Sequence, residues 1–135
     1  NARGDKKSSF LLLCSVPQYS AIAEAFQGDS ILIFNRIAQI FHSTLCKDCF
    51  GEAILSNEHA FIGSWKFDEV LFPIGSTFTW NFANFALQAA VLTSIRLQCD
   101  ETISAFSGDE RWSGKPNIAL SITFALQEPV PWEWE

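Results

Sequence analysis

Residues 92–128 read LTSIRLQCDETISAFSGDERWSGKPNIALSITFALQE, and the fold turns on how this stretch is read. Ile95, Leu97, Cys99 and Ile103 interleave with Ser94, Arg96, Gln98, Asp100, Thr102 and Ser104. Ile118, Leu120, Ile122, Phe124 and Leu126 interleave with Ala119, Ser121, Thr123, Ala125 and Gln127. Successive side chains of a strand point to opposite faces, so a period of two predicts a pair of half-buried strands. The face opposite the apolar one carries no charge from Asn117 to Gln127. Solvated edge strands commonly carry Lys or another charge that blocks pairing with a second chain. A neutral face built around Ser121 and Thr123 therefore points to contact with another protein surface.

Outside that stretch the composition sets bounds. The chain has 135 residues, 48% of them hydrophobic and 18% charged, which fits a single folded domain, 1–135, with a sizeable core. Thirteen Phe and five Trp imply a large apolar core, an apolar cavity or extensive interfaces. The net charge of −6 removes the basic footprint of a nucleic-acid binder, so sequence-specific nucleic-acid binding is not expected. No apolar run reaches the roughly 20 residues of a membrane span, and no membrane partner is expected. The absence of Met hints at a processed or trimmed product.

Neighbouring segments extend the β reading. Residues 1–9 are polar and expected to be flexible. Phe10–Val16 reads as a buried strand, and Ser20–Phe26 as a short helix closed at Gly28. Ser30–Leu45 is open between helix and strand: Ile33, Phe34, Ile37, Ile40 and Phe41 have helical spacing, while Ile31-Leu32-Ile33-Phe34 is β-rich. Ala60–Phe72 is expected as a strand with Trp65, Phe67 and Leu71 on one face. A turn at Pro73–Ser76 would then return the chain as a strand over Thr77–Phe82, before a short helix over Phe85–Ala90. Ser107–Pro116 reads as a polar loop with Trp112 exposed. The Pro-rich tail 129–135 is expected to lie extended, with Trp132 and Trp134 docked on this chain or a neighbour. The fold class is thus mainly β (α+β), an antiparallel β-sandwich or barrel with one or two short flanking helices.

Chemistry-bearing motifs are sparse. Cys46 and Cys49 have the spacing of zinc ligands or a redox pair, but Cys14 and Cys99 are isolated, so zinc, disulfide and inert thiols stay open, with inert thiols the leading reading and no metal or other cofactor expected. His42 and His59 belong to no triad or zincin motif, and no phosphate loop occurs. Asp68-Glu69 and Asp109-Glu110 are adjacent acids whose side chains diverge on a strand. No catalytic residue emerges, and the chain is read as no enzyme. Arg3-Gly4-Asp5 would serve adhesion in a secreted protein.

Val91–Ile95, the Trp112-Ser113-Gly114-Lys115-Pro116 loop and Ile118–Glu128 together resemble the C-terminal part of tail-tube and baseplate-tube proteins of contractile-tailed phages, over about 40 residues. The resemblance implies a virion structural subunit, a homo-oligomer or neighbour of other structural subunits stacked as rings. Trp112, Trp132 and Trp134 would be its docking anchors, as Trp often is at interfaces. Gly63-Ser64-Trp65 is similar to the opening of lipocalin-like barrels, which implies the alternative of a small barrel for an apolar ligand. A secreted adhesion domain is the third expectation.

Overall fold

The computed structural model describes residues 7–57, 59–68 and 76–127. Ser8, Phe10, Leu12 and Cys14 alternate with residues on the opposite face, and this period of two forms strand β1, Lys7–Ser15. Helix α1, Tyr19–Phe26, buries Ile22 and Phe26 four residues apart. A 3₁₀ turn, Gln27–Asp29, leads into α2, Ser30–Ser43. There the helical spacing of Ile33, Phe34, Ile37, Ile40 and Phe41 prevails over the β-rich opening, because that stripe puts five apolar side chains into the core. A π-helical turn, Thr44–Asp48, follows.

Strands β2, Glu52–Ser56, and β3, Ala60–Asp68, form an antiparallel pair with a register shift between Ala53 and Leu55. Phe61, Trp65 and Phe67 share the buried face of β3, as their alternation predicts. Gly63 lies in the same row because Leu45 packs over it; a Cβ there would stand 2.6 Å from Leu45 Cδ1. Helix α3, Thr77–Cys99, then runs 23 residues without Gly or Pro. It ends at Asp100, whose extended backbone starts α4, Glu101–Ser107. A 3₁₀ turn, Glu110–Trp112, precedes the last strand, β4, Ser121–Gln127.

The four strands form one antiparallel sheet in the order β2-β3-β1-β4. β1 is central, with Leu12 opposite Gly63 on one side and Phe124 on the other. The element order β-α-β-β-α-β, with β3 inserted between β2 and β1, is the split βαβ arrangement of ferredoxin-like folds. The core joins the inner row of β1 and β3 to α1, α2 and α3, with Phe41 stacked on Phe61 at 5.4 Å and Phe10 on Phe67 at 5.5 Å.

This architecture corrects the mainly β expectation. Among the described residues there is no sandwich or closed barrel; a single sheet with two edges carries helices that hold more residues than its strands. Thr77–Phe82, expected as a strand, is helical, and the strand expected through Leu92–Ser104 is instead the end of α3 and the start of α4, joined at Asp100. The buried residues of α3 recur at the helical period: Thr79, Ala86, Ala89, Ala90, Thr93 and Leu97. The alternation of Ile95, Leu97 and Cys99 is incidental, since only Leu97 of the three faces the core. No helix among the described residues is long and apolar enough to cross a membrane.

Candidate functional site: the α3–β4 face

Because small residues fill the inward side of α3, its large apolar residues fall on the outward side. Trp80, Leu87, Val91 and Ile95 project within an arc of roughly 80° at 100° per residue, and each is about half exposed or more, from 48% at Val91 to 64% at Trp80. A helix apolar on both sides normally lies inside a larger structure. α3 packs over β1 and β3, and among the described residues most of the edge strand β4 beside it is left exposed.

On β4 the residues in register with the core row of β1 are Ile122, Phe124 and Leu126, opposite Cys14, Leu12 and Phe10. They share the helix-bearing side of the sheet, yet Phe124 is 48% exposed and Leu126 40%. Between them and α3 runs an apolar groove of about 390 Å³, lined by Phe10, Ala83, Ala86, Leu87, Phe124 and Leu126 among others. Leu87 belongs to both groove and stripe, so the two make one surface. Ser121 and Thr123, the strand residues singled out from sequence, are exposed on the opposite side of the same strand. No charged side chain occurs in β4. The other exposed large apolar side chains among the described residues, Ile31, Leu32, Phe50 and Ile54, sit on α2, before β2 and on β2.

Trp112 is not on this surface. It is 2% exposed, stacked on Phe26 at 5.8 Å, with its indole Nε1–H donating to the Pro116 carbonyl at 2.7 Å. The surrounding Ser, Gly and Lys disguise a core residue as a loop residue; the 3₁₀ turn carries it inward to fill the space between α1 and α4. Its expected role as a docking anchor is therefore corrected. Trp132, Trp134 and Arg3-Gly4-Asp5 lie outside the described residues.

The four cysteines are free thiols. Cys14 and Cys49 are buried, and burial pushes the Cys14 thiol up to about 12. Cys49 is raised as well, by burial first and by Asp48 second, and its carbonyl accepts the Trp65 Nε1–H at 2.7 Å. Cys46 is exposed, and Cys99, expected on the apolar face of a strand, is exposed at the end of α3. Among the described residues no three His, Cys, Asp or Glu side chains come together as a metal site would need.

A second, polar concavity of about 460 Å³ lies between α2 and the end of α3. Arg36 donates to Asp100 at 2.9 and 2.6 Å through Nε and Nη2, and Asp100 also accepts the Ile103 N–H at 3.1 Å, capping α4. The Arg36 hydrogen bond holds the Asp100 carboxyl below the usual carboxylate range, against the opposing effect of burial. Arg96 bridges Thr44 and Asp48, and Arg111 bridges Asp109 and Asp29. All but the local Arg111–Asp109 pair join elements distant in sequence, and together they leave each described arginine bound to a carboxylate.

No family model and no curated protein matches the chain. Its fold is similar to that in the crystal structure of the guanylyl cyclase Cya2, with a TM-score of 0.59 and 12% sequence identity, over 93% of this chain and 56% of that one. The chain therefore spans little more than half the length of that protein. At this identity the likeness is one of fold alone.

Proposed function

We propose that the chain is a protein-association module whose docking surface is the outer stripe of α3 together with β4. The observation that carries this reading is the continuous, uncharged apolar face formed by Trp80, Leu87, Val91, Phe124 and Leu126 beside a sheet edge that is unpaired among the described residues. Monomers scatter exposed apolar side chains singly, whereas a contiguous patch marks an interaction site. The resemblance to phage tube subunits drew in part on Val91–Ile95 preceding the loop as a strand, whereas that segment lies within α3, and the association reading proposed here does not depend on that machine. Covering the exposed half of each such side chain contributes roughly 1 kcal/mol. Against an association cost of about 4–15 kcal/mol, five or six of them alone give weak binding, and main-chain pairing along β4 has to add to them.

A photoreactive residue at position 87 tests the reading in the cell that makes the protein, with position 101 on the outside of α4 as control. Cross-links to an identified protein from 87 and none from 101 are expected. Equal yields from the two positions would overturn it.

A second reading, nucleotide cyclisation by the chain itself, is favoured by the fold shared with a guanylyl cyclase. A triphosphate requires free cations around it, and Arg36, Arg96 and Arg111 are each occupied by an aspartate. Incubation with GTP and a divalent cation, followed by an assay for cyclic GMP, separates the readings. Product formation would favour cyclisation.

A further inference from the structure

Resting on the association reading, we infer that the occupant of this face is a second copy of the chain, docked by antiparallel pairing of β4 with its symmetry mate about a two-fold axis at Phe124. The two edges of the sheet differ in a way that selects this one. β2 has five residues, a register shift between Ala53 and Leu55, and Glu52 within 4.0 Å of Lys66. Shortness, irregularity and charge are the features by which an edge resists pairing. β4 has none of them: seven residues, an unbroken register with β1 and no charge.

The strand is also chemically self-complementary. Reversed about Phe124, Ser-Ile-Thr-Phe-Ala-Leu-Gln sets Ser121 opposite Gln127, Ile122 opposite Leu126, Thr123 opposite Ala125, and Phe124 opposite itself. Polar meets polar at Ser121–Gln127 and apolar meets apolar at Ile122–Leu126, the small Ala125 faces Thr123 without a clash, and the aromatic pair falls at the centre of the seam. A slip by one residue about either copy would mix the faces and leave part of the strand unpaired. A two-fold normal to the sheet keeps the helices of both copies on the same side, so the groove lined by Leu87, Phe124 and Leu126 meets its own copy across the seam. Each copy carries a net charge of −6, and the uncharged seam is the part of the surface where two such chains approach without a like-charge clash.

Sedimentation of the full chain between roughly 1 μM and 0.1 mM tests this with Phe124→Lys, Phe124→Glu and their equimolar mixture. Wild type is expected to dimerise towards the upper end. Each variant alone should be monomeric, since it places two like charges face to face, and the mixture should restore the dimer. Wild-type monomer throughout, single variants that dimerise like wild type, or a mixture that stays monomeric would each overturn the inference. Phe124 is half-exposed, so its replacement should leave the far-ultraviolet circular dichroism unchanged. If the charged variants do not fold, Phe124→Cys in a Cys46→Ser, Cys99→Ser background should cross-link two copies on oxidation, and exclusive monomer would be contrary. A monomeric chain that still cross-links from position 87 to a different protein removes this inference and leaves the association reading in place.

Discussion

Trp112 illustrates how a single side chain is sorted between core and surface by what its polar atom can reach. Its ring fills the space beside Phe26, which also meets Phe106 edge-on at 5.2 Å, and its N–H ends on the Pro116 carbonyl. Trp112→Ala should therefore cost about 3–5 kcal/mol in urea denaturation, and Trp112→Phe, which keeps most of the volume but loses the N–H bond, about 1–2 kcal/mol. An unchanged midpoint for the Ala variant would place the indole outside the core. The thiols are sorted in the same manner. Thiolate is the reactive form, so burial that raises the pKa also slows modification. At about pH 8, a chromogenic disulfide reagent should react quickly with Cys46 and Cys99, whereas Cys14 and Cys49 should respond after denaturant is added. Fast reaction of all four in the native chain would contradict the burial assigned to them.

Among the elements, the junction between α3 and α4 depends on one carboxylate. Asp100 ends one helix, caps the next and receives Arg36 from α2. Its folded pKa is lowered, so its stabilising contribution is complete above the unfolded value and is lost as pH falls below the ordinary carboxylate range. Asp100→Ala should cost about 1–2 kcal/mol near pH 7, and the gap from wild type should close below roughly pH 4. A gap that stays constant with pH would mean that the charge contributes nothing there. The legibility of the elements followed their periodicity. β1 was readable as a short continuous apolar run, Phe10–Leu13, ended by Pro17, and α1, β3 and β4 were readable because apolar residues recur at the period of each. α3 was not, because Leu87, Val91, Leu92 and Ile95 make it apolar nearly all round. The 3.6-residue period was instead written in small residues, Ala86, Ala89, Ala90 and Thr93, which a search for large hydrophobes passes over. β4 was recognised as a strand with a neutral face, and Ser121 and Thr123 were placed on it correctly. The apolar half of the candidate surface was invisible from sequence, since Phe124 and Leu126 look like core residues until α3 is seen to stop short of them.

At the scale of the whole molecule, sheet order decides where contact occurs. With β1 central and the helices set over β1 and β3, the described residues leave the outer edge of β4 unpaired and most of its side chains exposed, Ile122 excepted. The irregularity and charge at β2 disfavour pairing there, so the proposed growth of the sheet has one direction, and the outer stripe of α3 lies along it. Backbone amide hydrogen exchange over Ser121–Gln127, compared in dilute and concentrated solution, tests this most directly, because it reads the outward amides of β4 themselves. The account predicts that these amides slow markedly as concentration rises, while those of β2 stay as they were. Rapid exchange along β4, identical at every concentration, would contradict it.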